Sequence, residues 1–528
     1  MPVYEIKQWN GGLADEEDKG IPGAYKFSKN NDPRKRNDSF SAGQAYVDIG
    51  LNQTGHSPSA SQSPSASPSR SPSLSVSASI SPTPSPSAST SPSPSPSSTG
   101  SATPSSSASP SPSSSGGITT QFLDLIRWWV PGSDGYLYGF GNTGWVYRID
   151  EDFFVQRLYR DSDGEIKGAA EWYAAGGKTF MQWAVDKKLK RKSMPGLSNW
   201  NDVETQAQNL NSASYHTMRE AGGSLIIANL SWLALVGYDQ SYTNEALNLI
   251  PGNVAKTLVE RNGRTIIGTY KSNNPTKGIN AAIDAEVPLA QVGDDGELFF
   301  ADMQSTTPVT RFPGGGKVNP GGVCNQVDQV NFFEWEQNAL NFIDKQSVGN
   351  MSVWAVYDAE EGKGGLYSHG RKRKNRPMIL NCDYQFDADE LGACISIGGI
   401  TYVSYREGSD FGVKVLDVNN KAEAVYEGLD FRAPVKTVLE VTKWGLAEIY
   451  MKPLPAGCWI EFWYRINKTG DFVQARVAEG GAGRWTSEGS KKVIFRVQGE
   501  GEIFEPKLVI HPSGNETPEI HRMRIYFT

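Results

Sequence analysis

The sequence predicts an all-β protein: a roughly seven-bladed β-propeller followed by a C-terminal β-sandwich, preceded by an N-terminal arm and a Ser/Pro-rich linker. Three observations carry this expectation. Between Phe122 and Gly428, short apolar segments are separated again and again by two-residue turns of Gly, Asn and Asp. The segments after several of these turns are apolar in both alternating sets of residues. Beyond Phe431 the pattern changes to one-sided alternation. The composition agrees, with 55 Gly, 14 Trp, 21 Tyr and 21 Phe in 528 residues, which suits strands joined by tight turns.

Residues 1–56 read as an N-terminal arm. They hold Trp9, Tyr25, Phe27, Phe40 and Tyr46, too few apolar side chains for an independent core, since domains of this size are marginal without disulfides, metals or partners. The expectation is therefore an anchoring arm that folds against another subunit. MPVYEIKQW shows no basic-then-apolar signal segment, and no stretch is long and apolar enough to span a membrane, so a soluble, non-membrane protein is expected.

Residues 57–117 form the linker. The run Ser57 to Ser115 is Ser and Pro broken by isolated residues such as Arg70, Leu74 and Ile80. It lacks the apolar side chains that offset ordering entropy. Proline at every second or third position favours extended polyproline II. At ~3.1 Å per residue the run would reach roughly 180 Å, which reads as a tether between arm and propeller.

Residues 118–430 carry the repeat. The turns fall at Asp134-Gly135, Gly176-Gly177, Gly222-Gly223, Asn262-Gly263, Asp295-Gly296, Gly349-Asn350 and Gly398-Gly399, the strongest local hairpin signal. Their spacing of roughly 44 residues suits one four-stranded blade each, giving seven blades, with six the alternative because the stretch between Gly278 and Gly316 is irregular. In Ser352 to Tyr357 and Leu225 to Ala228 both alternating sets are apolar, as in a strand covered on both faces by neighbouring blades. Residues 431–528 alternate instead. Ile460, Phe462, Tyr464 and Ile466 share one face, as do Met523, Ile525 and Phe527, the signature of a half-buried sheet.

The motifs that suggest chemistry have simpler readings. Gly139 to Val146 matches a dinucleotide or kinase glycine loop and Asp410-Phe411-Gly412 a kinase triplet, but Trp145 to Ile149 reads as a strand rather than a helix. Gly314 to Lys317 lacks the rest of a phosphate loop. The four cysteines (Cys324, Cys382, Cys394, Cys458) are scattered and read as buried thiols. The five histidines have no metal spacing. Asp161/Asp163 and Asp294/Asp295 read as turn formers, with calcium binding as the alternative. The cluster Arg371, Lys372, Arg373 and Lys374 is a candidate anion contact or a solvated hairpin. A net charge of −7 argues against a general nucleic-acid binder. No catalytic residue, cofactor site or metal site is expected, and the chain is expected not to be an enzyme.

The opening WNGGLADEEDKGIPGAYKFSKNNDPRKRNDSFSAGQ resembles that of β-propeller virion proteins of tailed bacteriophages. A paired glycine (Gly11, Gly12) leads there to an N-x-D-x-R pattern, here Asn31, Asp32 and Arg34. The ending FEPKLVIHPSGNETPEIHRMRIYF and the segment LIPGNVAKTLVERNGRTIIGTY resemble the same group. The resemblance implies a tail-associated structural protein of the virion, in several copies or a homo-oligomeric ring, contacting other virion proteins. It makes Trp9, Gly11, Gly12, Tyr25, Phe27, Asn31, Asp32 and Arg34 candidate virion-anchoring residues. The alternative function is a host-surface glycan adhesin or depolymerase, with Trp128, Trp129, Trp172 and Trp183 able to stack on sugars; most of them sit in strand patterns, which favour core packing instead.

Overall fold

The structure, a computed structural model, describes residues 3–9, 12–13, 24–32, 39–49, 117–127, 136–150, 153–194, 200, 202–211, 215–221, 224–248, 253–261, 264–271, 289–292, 297–302, 305–311, 317–326, 351–358, 363–370, 379–397, 400–432 and 442–528. The fold is all-β. One compact unit comprises Met1–Asn52 together with Ser114–Thr528; Gln53–Ser113 is a separate unit that lies outside the described residues.

Four strands come from the N-terminal segment: β1 (Val3–Ile6), β2 (Gly12–Leu13), β3 (Ala24–Lys29) and β4 (Gln44–Ile49). Sheets built of consecutive strands follow. The first holds β5 (Phe122–Arg127), β6 (Leu137–Gly141), β7 (Trp145–Ile149) and β8 (Val155–Arg160). The second holds β9 (Ile166–Ala174), β10 (Lys178–Val185), β11 (Lys188–Met194) and β12 (Glu204–Ala207). The third holds β13 (Met218–Ala221), β14 (Ser224–Asn229), β15 (Trp232–Val236) and β16 (Tyr242–Asn248). A two-stranded sheet, β17 (Asn253–Arg261) with β18 (Arg264–Lys271), is followed by a three-stranded one of β19 (Leu289–Val292), β20 (Glu297–Asp302) and β21 (Ser305–Arg311). Then come β22 (Lys317–Gln326), β23 (Met351–Asp358), β24 (Lys363–Gly370) and β25 (Ile379–Phe386). The last of the series starts with β26 (Glu390–Ile397), β27 (Ile400–Glu407) and β28 (Asp410–Lys421), and its fourth strand is β4.

Each of the seven turns predicted from sequence joins the first two strands of a sheet. Gly176 and Gly177 lie within the described residues, at φ 79° and 73°, in a three-residue loop between the paired Ala174 and Lys178, and both occupy the left-handed region that glycine adopts without a Cβ penalty. The other six turns lie outside the described residues, but the strands flanking them pair antiparallel, as Ala221 with Ser224 and Ile397 with Ile400 show. First strands also touch one another in a closed cycle: β5, β9, β13, β17, β22, β26 and back to β5. That cycle passes through six sheets, one fewer than the turns, because β19 to β21 stand outside it.

Hydrophobic clusters fill the spaces between successive sheets. Tyr138, Phe140 and Val146 pack with Met181 and Trp183; Trp172 and Ala184 pack with Met218 and Ile227; Val353 and Leu366 pack with Leu391 and Val403. A strand between two such clusters needs apolar residues on both faces, which is why residues 352–356 are buried without a break. Backbones approach closely at these junctions. A Cβ on Gly168 would sit 2.0 Å from the carbonyl oxygen of His216, so only glycine fits there.

The remaining strands are β29 (Ala424–Gly428), β30 (Phe431–Arg432), β31 (Lys443–Met451), β32 (Trp459–Ile466), β33 (Val473–Gln474), β34 (Arg476–Val477), β35 (Arg484–Trp485), β36 (Lys492–Glu500), β37 (Ile503–His511) and β38 (Ile520–Phe527). They form two larger sheets, and the N-terminal segment is woven into both. One runs β1-β38-β31-β36-β34; the other runs β2-β3-β29-β37-β32-β33, with β30 on β37 and β35 on β32. Their inner faces share one core, to which Trp9, Tyr25 and Phe40 contribute alongside Tyr426, Phe462, Phe495, Phe504 and Ile525.

This corrects one expectation. Residues 1–56 are not a separate arm, because their strands complete three sheets of their own chain. The linker Ser57 to Ser115 lies outside the described residues. Ile49 before the run and Ile118 after it are buried in one cluster with Phe122, Tyr147 and Val413.

Candidate functional site

The residues singled out for anchoring lie at the seam between chain ends. Trp9 is fully buried, with its ring 4.9 Å from Tyr426 and 6.0 Å from Phe40. Phe40 in turn exchanges backbone hydrogen bonds of 2.9 Å with Ile520. Tyr25 is also fully buried, and its hydroxyl donates to the Asn381 side chain on β25. Burial drives its phenol well above the ordinary range. Asn31 is 1% exposed; its backbone oxygen accepts from Asn381 Nδ2 at 3.4 Å. Asp32 N–H donates to Ser41 O at 3.0 Å. Phe27 is half-buried, and Gly12 pairs with Ala24 in parallel register. Gly11 and Arg34 lie outside the described residues, as do Arg371, Lys372, Arg373 and Lys374.

Trp9, Tyr25 and Asn31 are therefore not offered to another subunit. Apolar anchors too few for a core of their own found one in the C-terminal strands instead. Charged groups reinforce the seam. Lys26 on β3 reaches Glu505 on β37 at 3.2 Å, and Arg465 grips the same carboxylate at 2.6 and 3.1 Å. Ser39 Oγ donates to Glu519 Oε1 at 3.2 Å, and Lys414 pairs with Asp48 at 2.8 Å.

The buried polar groups of the cycle join one sheet to the next. Between the first and second sheets, Asp161 accepts from Trp183 Nε1 at 2.8 Å and from Lys190 Nζ at 2.7 Å. Between the second and third, His216 N–H donates to Lys167 O at 2.8 Å. Between the third sheet and β17, Thr217 Oγ1 donates to Lys256 O at 2.6 Å. Asn319 on β22 donates to Glu390 Oε1 at 2.9 Å and Leu391 O at 2.7 Å. Phe122 N–H donates to Ser404 Oγ at 3.2 Å and links the last sheet to the first.

Asp161 and Asp163 do form a turn, with Asp163 N–H donating to Asp161 Oδ1 at 2.9 Å. Their carboxylates face lysines, and hydrogen bonds from Lys190 and then Lys188 hold Asp163 below the usual carboxylate range. His216 is buried, donates from Nδ1 to Ala228 O over 2.7 Å, and is pushed below its ordinary pKa by burial. Among the described residues no group of three His, Cys, Asp or Glu is placed to hold a metal. All four cysteines are buried and unbridged; Cys324 and Cys394 touch at 3.4 Å between β22 and β26. Trp172 and Trp183 are fully buried, so neither can stack on a sugar; Trp128 and Trp129 lie outside the described residues.

No known protein family matches the chain, and no curated protein does. Solved structures of similar fold include a gluconolactonase from Xanthomonas campestris, at 10% identity over 56% of this chain and 86% of that one, with TM-score 0.33. A PQQ-bound aldose sugar dehydrogenase from Streptomyces coelicolor aligns at 10% identity over 57% of this chain and 95% of its own, TM-score 0.36. An exo-β-1,3-galactanase from Phanerochaete chrysosporium aligns at 8% identity over 78% and 97%, TM-score 0.29. The expectation that the chain is not an enzyme is corrected by this comparison. These neighbours are enzymes, and an expectation read only from missing motifs does not stand beside them. Likeness at this level assigns no chemistry to any residue here.

Proposed function

We propose that this chain is a structural protein of a tailed phage particle, tail-associated and present in several copies. In this reading the successive sheets close as a six-bladed propeller. A β-sandwich sits beside it, clasped by the N-terminal segment, and Ser57 to Ser115 is an insertion between the last blade and the first. One observation carries the reading. Two of the three segments whose sequences resemble phage virion proteins, residues 9–44 and 504–527, belong to one module: both supply its core, and β1 pairs along β38 while Phe40 bridges to Ile520. Contact with the rest of the particle then falls to outer surfaces of that module rather than to a free arm.

The test is proteomics of purified, salt-washed particles combined with a map of the intact particle. The chain is expected at fixed copy number on the tail. Presence in infected-cell lysate with absence from washed particles contradicts the proposal.

A further inference from the structure

The outer face of the five-stranded sheet is basic on an acidic protein. Glu5, Arg524 and Glu448 lie side by side across β1, β38 and β31, and Arg522, Tyr450 and Lys492 form the next row. Arg496 on β36 stands directly opposite Arg476 on β34. With Lys7 beyond β1 and the Lys443–Glu500 pair at the far end, seven cations face three carboxylates, a net of +4. The whole chain carries −7, so the rest of it carries −11.

Both central carboxylates are already satisfied. Glu5 takes Lys7 at 2.5 Å, Arg524 at 2.7 Å and Arg522 at 3.4 Å. Glu448 takes Lys492 at 2.6 Å and the hydroxyls of Tyr450 and Tyr526 at 2.7 and 2.8 Å. The cation excess is thus left to solvent. Arg476 opposite Arg496 is an unfavourable like-charge pair that an anionic partner would relieve. Arg and Tyr around the half-buried Leu446 and Ile494 are the composition of a protein interface, not of a polyanion groove.

A counter-surface exists on the same chain. Asp387 and Asp389, before β26, and Glu407 and Asp410, directly opposed across the β27–β28 turn, are all exposed. Arg406 is the cation that reaches this tip, and it is engaged by Asp389 at 3.7 Å and Glu390 at 3.2 Å. Two copies meeting through identical basic faces would repel, so a symmetric face-to-face dimer is disfavoured. We infer that the basic sheet face of one copy docks on the acidic β27–β28 tip of a second copy, a head-to-tail contact that propagates around a ring or along a filament.

Sedimentation velocity of the full chain tests this directly, at about 20 mM and about 300 mM salt, because such contacts weaken as the screening length shrinks. Species larger than monomer are expected at low salt and should be lost at high salt. The double variants Arg476→Glu/Arg496→Glu and Glu407→Lys/Asp410→Lys should each weaken association by about tenfold or more, with melting temperature unchanged. Mixing the two variants should restore association, because the intact face of one meets the intact tip of the other. A wild type monomeric at both salts overturns the inference. So do variants that associate like wild type, or retention of a monomeric chain by DNA or an anionic polysaccharide through this face. None of these outcomes depends on whether the chain belongs to a virion.

Discussion

The serial sheets and the two-sheet module are both antiparallel and apolar inside, yet they are assembled in opposite ways. In the first three serial sheets every strand pairs with its neighbour in sequence, and the partners are joined by short connections. In the two-sheet module β1 pairs with β38 and β3 with β29, so partners come from opposite ends of the chain. The last serial sheet stands between the two, with three local strands and β4 as its fourth. Such long-range pairing requires loop closure before it yields contacts, so the module should depend steeply on its N-terminal strands. The serial sheets should lean on them only at the seam.

The largest effect is expected from removing residues 1–49. The loss takes β1 to β4 and three fully buried aromatics, Trp9, Tyr25 and Phe40, out of the fold. The truncated chain should lose cooperative unfolding of the module and expose apolar surface, read as dye binding and a broadened melt. A truncated chain that melts as sharply as the full one breaks the comparison. Trp9→Ala comes next, at about 3–5 kcal/mol by denaturant unfolding, as for other fully buried Trp and Phe truncations.

The aromatic anchors of the N-terminal segment were visible in the sequence, but their partners were not. Trp9 touches Tyr426, and Tyr25 touches Asn381, at separations no local pattern encodes. The serial sheets were legible for the converse reason. Each Gly, Asn or Asp turn acts on strands only a few residues away, so the chemistry that makes the hairpin sits inside the hairpin. The sheet cycle held fewer members than turns because a turn signals a hairpin, not its place in a ring. Trp172 and Trp183 sit in strand patterns that favour core packing over sugar stacking, and both are fully buried.

Acid should loosen the seam through Glu505. Burial pushes its carboxyl up, but hydrogen bonds from Arg465 and then Lys26 outweigh that and leave it below the ordinary range. A depressed folded value supplies stability above the unfolded carboxylate pKa, and that stability is lost as pH falls through the folded value. The wild type should therefore lose melting temperature on acidification below the usual carboxylate range. Glu505→Gln should be less stable at neutral pH, with a shallower loss in acid. An unchanged acid slope in the variant would remove Glu505 from the seam.

The smallest effect is expected from the Ser/Pro run. Because Ile49 and Ile118 meet in one cluster, shortening the connection between them changes loop-closure entropy by only about 0.6 kcal/mol per halving. Replacing Ser61 to Pro110 by a Gly/Ser segment of half that length should leave the melting temperature within a few degrees. A large loss of stability would mean that the run supports the fold.

Hydrogen exchange on the isolated, full-length chain tests the central claim most directly, since it asks whether the N-terminal segment is structured by its own chain. Amides in β1, β3 and β4 should be protected to the same degree as those in β37 and β38, with which they share sheets and core, in the absence of any other protein. Exchange of residues 3–6, 24–29 and 44–49 at unprotected rates, with β37 and β38 protected, would contradict the account and return these residues to the role of an arm that waits for a partner.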